Sequence, residues 1–360
     1  MRLTRCSLKP RSYSLYFWIS ITIIILYMEY FSYILNTFNW HSVKCTDRPK
    51  CARILLVADP QIIGNKNEAP HFLTPFTIFD SDRYLHVTYQ LAFEFVRPDI
   101  VIFLGDLMDE GHTASDIEFN NYVRRLFNIF LIHTDAAMYV KHVWLPGDND
   151  IGGEDTVVTQ QKVRRFERAF TQPSIFSHHN ITFFKINRLT NNIPVYKKNR
   201  EFYDTSEIFV GLSHVPMMFK PSIFVDKVIS KMLPQLLFSA HEHKSMIIST
   251  DALLRHDFHI VPVTPDNNQP YEYTLGAREM FEILIPTCSY RMGTDKIGYG
   301  LAVIEGDNLK FTVLWSPSRF NQLTNYLILL CVIVIYIVTF RCYKMLCRRS
   351  RKIQRHSDYF

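Results

Sequence analysis

Two long apolar runs, one near each end of the 360-residue chain, decide what the rest can become. Residues 15–35 (LYFWISITIIILYMEYFSYIL) carry one charge, Glu29, and residues 323–340 (LTNYLILLCVIVIYIVTF) carry none. Each is about the length of apolar helix that crosses a bilayer. A carboxylate at mid-membrane costs on the order of 3 kcal/mol, so Glu29 is expected to snorkel or to face a neighbouring helix. The rival readings are a cleaved signal peptide for the first run and a buried core helix for the second. The first is long for a signal peptide and has no small-x-small site close behind it. The second ends abruptly on cations. Both are therefore expected to span.

Charge sets the expected sidedness. Arg2, Arg5, Lys9 and Arg11 precede the first run, and Arg341, Lys344, Arg348, Arg349, Arg351, Lys352 and Arg355 follow the second. By the positive-inside rule, residues 1–14 and the basic tail 341–360 face the cytosol. Residues 36–322 then form a lumenal domain. Asn180-Ile181-Thr182, a glycosylation triplet, agrees with that side. With those ends set aside, the middle holds 29 Lys and Arg against 32 Asp and Glu, so no nucleic-acid partner is expected. The chain is 48% hydrophobic, enough for a substantial core rather than a disordered one. Its seven cysteines lack paired CxxC spacing, which argues against structural zinc. Cys45 and Cys51 are spaced to close a small loop in an oxidising lumen.

Between the spans, short β-branched runs alternate with amphipathic stretches, the pattern of a layered α/β domain. Residues 54–58, 100–104, 140–145, 208–212 and 235–239 read as buried strands. Residues 84–96, 117–132, 157–170 and 223–232 have helical periodicity. Residues 190–200 and 262–273 read as surface excursions. The strands run in turn into Asp59-Pro60-Gln61, Gly105-Asp106-Leu107-Met108-Asp109-Glu110-Gly111, Pro146-Gly147-Asp148-Asn149-Asp150, Ser213-His214 and Ala240-His241-Glu242-His243. Any one of these is an ordinary turn or a structural histidine. Together they deliver acids and imidazoles to the carboxyl edge of the strands, where open α/β sheets place their sites. His241 and His243 alternate on extended chain, so both can reach one centre.

The series resembles the calcineurin-like metallophosphoesterases, whose motifs run Asp-x-His, Gly-Asp-x-x-Asp, Gly-Asn-His-Asp, His and Gly-His-x-His. It is most similar to the branch of lumenal membrane enzymes that remove ethanolamine phosphate from a mannose of the GPI anchor. That branch also carries a transmembrane segment at each end, and its motifs include Asp-Pro-Gln and Gly-Asp-x-x-Asp-x-Gly. The resemblance covers about residues 53–305. It implies a four-layer α/β/β/α sandwich between two transmembrane helices. It also implies a membrane enzyme of the endoplasmic reticulum and Golgi that acts on GPI-anchored proteins or the GPI glycolipid and aids their transport. The cofactor it implies is a pair of divalent cations, Mn²⁺ first, with Fe or Zn²⁺ also suiting a mixed oxygen and imidazole set. Two such cations lie about 3.5–4 Å apart and need a shared carboxylate. By the family pattern Asp106 bridges, Asp59, Gln61 and His243 complete one site, and Asp148, His214 and His241 complete the other. Asp106, Asn149 and His214 are the residues expected to carry catalysis. Asp109 and Asp150 are expected to cap loops, and Arg291 to be solvated.

Three positions depart from the family. Gln61 stands where histidine is usual, and a carboxamide is a weaker ligand. Asp148 replaces asparagine and adds negative charge. Asn149 replaces the histidine that donates to the phosphate or protonates the leaving group, and an amide cannot act as an acid at neutral pH. Ala240 for glycine is a small change. Two other readings therefore stay open: a metal-binding paralogue that is catalytically impaired, and a phosphodiesterase of another lumenal substrate. His112, His133 and His256 are the histidines that stand as substitute proton donors.

Overall fold

The structure, a computed structural model, describes residues 10–66, 71–131, 139–196, 207–253, 255, 257–267, 269–276 and 278–357. The described residues form two compact units: those within 35–317, and those of the two ends, 10–34 with 318–357.

In the first unit the strands are β1 (Cys51–Val57), β2 (Ile100–Phe103), β3 (Lys141–Trp144), β4 (Ile175–His178), β5 (Ile181–Lys185), β6 (Ile208–Leu212) and β7 (Leu236–Ser239). They continue with β8 (Met246–Asp251), β9 (Phe258–Pro262), β10 (Tyr271–Thr274), β11 (Glu279–Leu284), β12 (Gly298–Glu305) and β13 (Asn308–Trp315). One sheet has the order β10-β13-β12-β1-β2-β3 and the other β4-β5-β6-β7-β11-β8-β9. The five strands read from the sequence are all present.

Alternation along the strands builds the layers. Leu55, Val57, Val101 and Phe103 turn to one face of the first sheet. They pack on Leu85 and Tyr89 of a helix at Thr74–Val96 and on Phe119 and Leu126 of a helix at Asp116–Phe130. Ile54, Leu56, Ile100 and Ile102 turn the other way, against Val210, Leu212, Phe238 and Phe281 of the second sheet. The far face of that sheet, with Phe184, Phe209 and Leu237, is covered by Val225, Val228 and Ile229 of a helix at Ile223–Met232. The result is the four-layer α/β/β/α sandwich. Each such side chain contributes about 1.5–3 kcal/mol through burial, and strands buried on both faces explain the unbroken apolar runs.

Register brings the functional ends level. Val57 pairs in parallel with Phe103, and Phe103 with Trp144, so three consecutive strands stop at one height. β6 and β7 are likewise parallel neighbours. Cys45 and Cys51 are joined in a disulfide, and Cys288 is buried and free.

The expected helices are present: that at Ile223–Met232 has the expected bounds, and the other three start elsewhere. The first begins at Thr74, where Pro75 sits at an N-terminal position that tolerates a missing N–H. The third begins at Gln160, after a Thr159 cap, rather than at 157. The strands β4, β5 and β8–β13 are additional to those read from the sequence.

The second unit contains a helix at Pro10–Leu26, a π-helical turn at Tyr27–Phe31, a short helix from Ser32 and a long helix at Arg319–Ser357. Ser14–Thr37 and Arg319–Arg349 are long and apolar enough to cross a membrane, with mean hydropathies of 1.6 and 2.4. Only 6% of the second window is buried, which excludes a core helix. Glu29 faces its neighbour: it accepts from Arg319 Nη1 at 2.9 Å and from Tyr326 OH at 2.6 Å. Gln322 adds a bond to Ser32 Oγ at 2.9 Å, and Phe17 stacks on Tyr336 at 3.8 Å. The long helix begins four residues before the expected 323 and continues into the basic tail without a break as far as Ser357.

Lys185, at the end of β5, gives the fold a titratable liability. Burial pushes its ammonium down to about 8 from 10.5. The folded state therefore binds fewer protons than the unfolded one between those values, and stability rises with pH across that window. Lys185→Met removes the effect. The melting-temperature advantage expected of Lys185→Met at pH 7 should shrink as pH is raised from 8 to 10.5; a constant difference would contradict the assignment.

Candidate metal centre

Two glycines bring the second and third motif loops, those of Asp106 and Asp148, into contact. A Cβ at Gly147 would fall 2.1 Å from Asp106 Oδ1, and one at Gly105, whose φ is +102°, would fall 2.8 Å from His214 Nδ1. No side chain fits at either place, so the Gly-Asp spelling of both motifs is a steric requirement.

The seven candidate ligands form one connected cluster. His214 Nε2 lies 2.9 Å from Asp148 Oδ1 and 3.4 Å from Asp106 Oδ1, and its Nδ1 lies 3.7 Å from Asp59 Oδ1. His241 Nδ1 lies 3.1 Å from Asp148 Oδ1. The Gln61 amide lies 3.1 Å from Asp106 Oδ2 and 3.4 Å from His243 Nε2. Rotating that amide would put its oxygen, the ligating atom, at the same point. Donor atoms of Asp148, His214 and His241 all lie within 4.8 Å of one another, as do those of Asp59, Asp106 and His214.

Asp59 tests whether the set fits a cation. It is completely buried, and neither carboxylate oxygen has a hydrogen-bond partner. A buried carboxylate without partners is strongly disfavoured unless a positive charge meets it. Burial accordingly raises the Asp59 carboxyl to about 7, and burial likewise raises Asp106. Burial alone would also raise Asp148, but the bonds from His214 and His241 outweigh it and hold that carboxyl low. Burial would lower His214, yet Asp106, Asp148 and Asp59 together raise it to about 10. The cluster thus draws positive charge, and mixed carboxylate and imidazole donors suit divalent cations. The residues present fit the group.

The backbone is strained where the ligands are. Five of the seven have left-handed φ: Asp59 (48°), Gln61 (39°), Asp106 (50°), His241 (70°) and His243 (54°). Such conformations cost on the order of 1–3 kcal/mol each and persist only where surroundings enforce them.

Buried acids do much of the enforcing. Asp150 accepts from Leu107 N, Met108 N and Gly147 N at 2.9–3.1 Å, stitching the second loop to the third. Glu110 takes Asn65 N, Lys66 N and Tyr122 OH, which fixes the chain beyond Gln61. Glu282, fully buried on β11, takes Met217 N at 2.6 Å and Met218 N at 2.7 Å, just past His214. Thr287 Oγ1 donates to Asp59 O at 2.9 Å. Asp150 caps as expected, and Asp109 lies 3.7 Å from Arg291. Arg291 corrects the sequence reading: it is 15% exposed and donates to Gln61 O rather than standing in solvent.

Asn149 points into the cluster. Its backbone N donates to Asp106 Oδ1 at 2.9 Å and its Nδ2 to Asp106 Oδ2 at 2.8 Å. Of the substitute histidines, His112 lies here, with Nδ1 3.1 Å from Asn149 O. His133 and His256 lie outside the described residues.

A fitting cation should stabilise the fold. Binding at 100 times Kd contributes about 2.7 kcal/mol. EDTA is therefore expected to lower the melting temperature by several degrees and Mn²⁺ to restore it, with Asp106→Asn unresponsive to both. Equal responses in wild type and variant would contradict the cluster's role.

A model of the calcineurin-like phosphoesterases matches residues 52–245, more than half of the chain. Metallophosphoesterase 1 of Ailuropoda melanoleuca is 27% identical over 191 residues, covering 51% of this chain and 45% of that protein. Cell division control protein 1 of Saccharomyces cerevisiae is 25% identical over 285 residues, covering 68% of this chain and 53% of that protein. The chain thus spans about half the length of these curated relatives. A solved dimetal phosphatase from Danio rerio is 13% identical, covers 74% of this chain and 96% of its own, and has a TM-score of 0.42. With the family model, the four layers and the ligand cluster in agreement, the chain belongs to the calcineurin-like phosphoesterase family.

Proposed function

We propose that this chain is a dimetal phosphodiesterase of the early secretory pathway, removing ethanolamine phosphate from the GPI-anchor glycan with both termini in the cytosol. The observation that carries the phosphoesterase reading is the buried Asp59 carboxylate, without hydrogen-bond partners, beside Asp106, His214, Asp148 and His241. The substrate and compartment rest on the motif series, including Asp59-Pro60-Gln61, and on two apolar helices that bracket the domain.

When bound, two divalent cations supply charge neutralisation and Lewis acidity. Asp59, Gln61, Asp106 and His243 would hold one, and Asp106, Asp148, His214 and His241 the other. The chain's own work is to keep those groups oriented. Both donors of Asn149 lock the Asp106 carboxylate, and the Nδ1 contact to Leu104 O at 2.9 Å turns Nε2 of His214 inward. Asn149 donates hydrogen bonds and no proton, so the leaving group receives no acid from this position.

That engaged amide also favours the second reading, a metal-binding protein with slow catalysis. Hydrolysis of an activated aryl phosphodiester with Mn²⁺ separates the two, because an aryl leaving group departs without protonation. Turnover that disappears in Asp106→Ala supports the enzyme; no Asp106-dependent turnover with any divalent metal supports the scaffold. Asn149→His is expected to accelerate alkyl esters by about 10²–10⁴ relative to aryl esters, and equal acceleration would remove the account of Asn149. Ethanolamine phosphate retained on GPI anchors in cells lacking the protein would support the substrate, and its normal removal would refute it.

A further inference from the structure

The helix at Thr74–Val96 is packed along only part of its length. Its buried residues begin at Ser81, and none of those before it is buried. The helix has 23 residues and β1 has seven, lengths of about 35 Å and about 23 Å. The helix therefore overruns the strand it packs on, at its N-terminal end. Phe76 and Phe79 on that overhang are 70% and 67% exposed, and Phe72, at its mouth, is 85% exposed. Phe76 and Phe79 are three residues apart and share a face. Residues 71–79 (HFLTPFTIF) hold no Asp, Glu, Lys or Arg, and Leu73 is exposed among them. An exposed apolar patch of this kind marks a surface with an occupant.

The position of the overhang identifies that occupant. β1 and β2 are parallel, so the helix between them runs back antiparallel and starts at the sheet edge that bears the metal centre. The chain leaves for its second apolar helix at the same edge. Gly300 pairs with Leu56 on one side and with Val313 on the other, which sets Trp315 at the height of Ala58. Trp315 O accepts from Asn36 Nδ2 at 2.6 Å and from Trp40 Nε1 at 2.8 Å. The segment arriving from the first apolar helix thus meets the segment departing for the second. Pro317 O accepts from Tyr84 OH at 2.9 Å, and the second apolar helix opens at Arg319. Phe79 and Phe76 lie about 8 and 12 Å beyond Tyr84 along the helix axis. A second copy or another protein would have to be recruited to this patch. A bilayer is already tethered there, because both attached helices are long and apolar enough to cross one.

We propose that Phe72, Phe76 and Phe79 form a ridge that seats in the adjoining bilayer surface and turns the metal-bearing edge toward lipid-anchored esters. The proposal rests on the two-span part of the proposed function and not on catalysis. Aromatic side chains of such a helix sink about 5–10 Å into the headgroup boundary. One segment links the ridge to the metal centre. Tyr290 OH donates to Asp80 Oδ2 at 2.9 Å, and its ring meets that of Tyr84 edge-on at 5.1 Å. Arg291, next in the chain, donates from Nη1 to Gln61 O at 3.3 Å. An ester whose phosphate is held near the headgroups is thereby brought level with the ligands, which favours a membrane-anchored substrate over a freely soluble one.

The test places the photo-cross-linking residue p-benzoylphenylalanine at single positions of the full chain in phosphatidylcholine vesicles and reads adducts by mass after illumination. Phe76→p-benzoylphenylalanine is expected to gain the mass of a phospholipid. The same replacement of Val334, exposed on the second apolar helix, is expected to do so too and reports spanning. Replacement of Tyr139, exposed ahead of β3 at the opposite sheet edge, should give no lipid adduct. Adding Phe72→Ser and Phe79→Ser should abolish the adduct at position 76 and, in the chain carrying the probe at 334, leave that adduct intact, which separates lost seating from lost insertion. The ridge would be overturned by an adduct at 334 without one at 76, by a cross-link between two copies at 76 in place of lipid, by equal lipid labelling at 76 and 139, or by an adduct at 76 that persists in the serine variant. No adduct at 334 would remove the two-span reading and the ridge with it. None of these outcomes reads hydrolysis, so the dimetal reading stands or falls separately.

Discussion

The structure depends on one buried carboxylate. Asp106 leaves β2 at the height where β1 and β3 also end, and its two oxygens meet Asn149, Gln61 and His214. A charge at that depth is unfavourable in itself. Everything around it reads as a means of making it tolerable: glycines that let a neighbouring loop approach, donors that fix its orientation, and a ring of groups that attracts cations. Two parallel strand sets from different sheets are needed to gather this set, which is why the four-layer sandwich and the site are inseparable.

Holding the site takes stored strain. Left-handed backbone at five ligands would relax in an isolated loop. Here Asp150, Glu110 and Glu282 receive backbone N–H groups from the loops that bear or follow those ligands. Each acid takes several donors at once, so loss of one would free a whole loop rather than a single contact. Rigid positioning of this kind is what a centre of closely spaced ions requires.

Much of this was legible in the sequence, for identifiable reasons. Strands buried on both faces announce themselves as apolar runs, and a motif that follows such a run inherits its position at the sheet edge. The order Asp59, Asp106, Asp148, His214, His241 therefore reads as one sheet-edge cluster, and the fold does bring those side chains together. What local pattern could not reveal depends on distant partners. Glu282 lies on a strand 65 residues beyond Met217 and reads as one more acid. Arg291 looks solvent-exposed until Asp109 and Gln61 are beside it. Lys185 closes a strand whose other four residues are buried, and only the packing of residues 170–174 and 187–192 leaves it lining a cavity. The hairpin of β12 and β13 did carry a signal, Gly306-Asp307 between two β-rich runs. Glu29 is the intermediate case: its sequence posed two alternatives, and Arg319 and Tyr326 select the neighbouring helix.

The central claim is that Asp106 is shared between two cations. Electron paramagnetic resonance of the full chain loaded with Mn²⁺, together with metal analysis, tests it most directly. The account predicts two ions per chain with the spin coupling of a pair about 3.5–4 Å apart, and loss of that coupling in Asp106→Asn. A single uncoupled ion in wild type, or a coupled pair that survives the substitution, would contradict it.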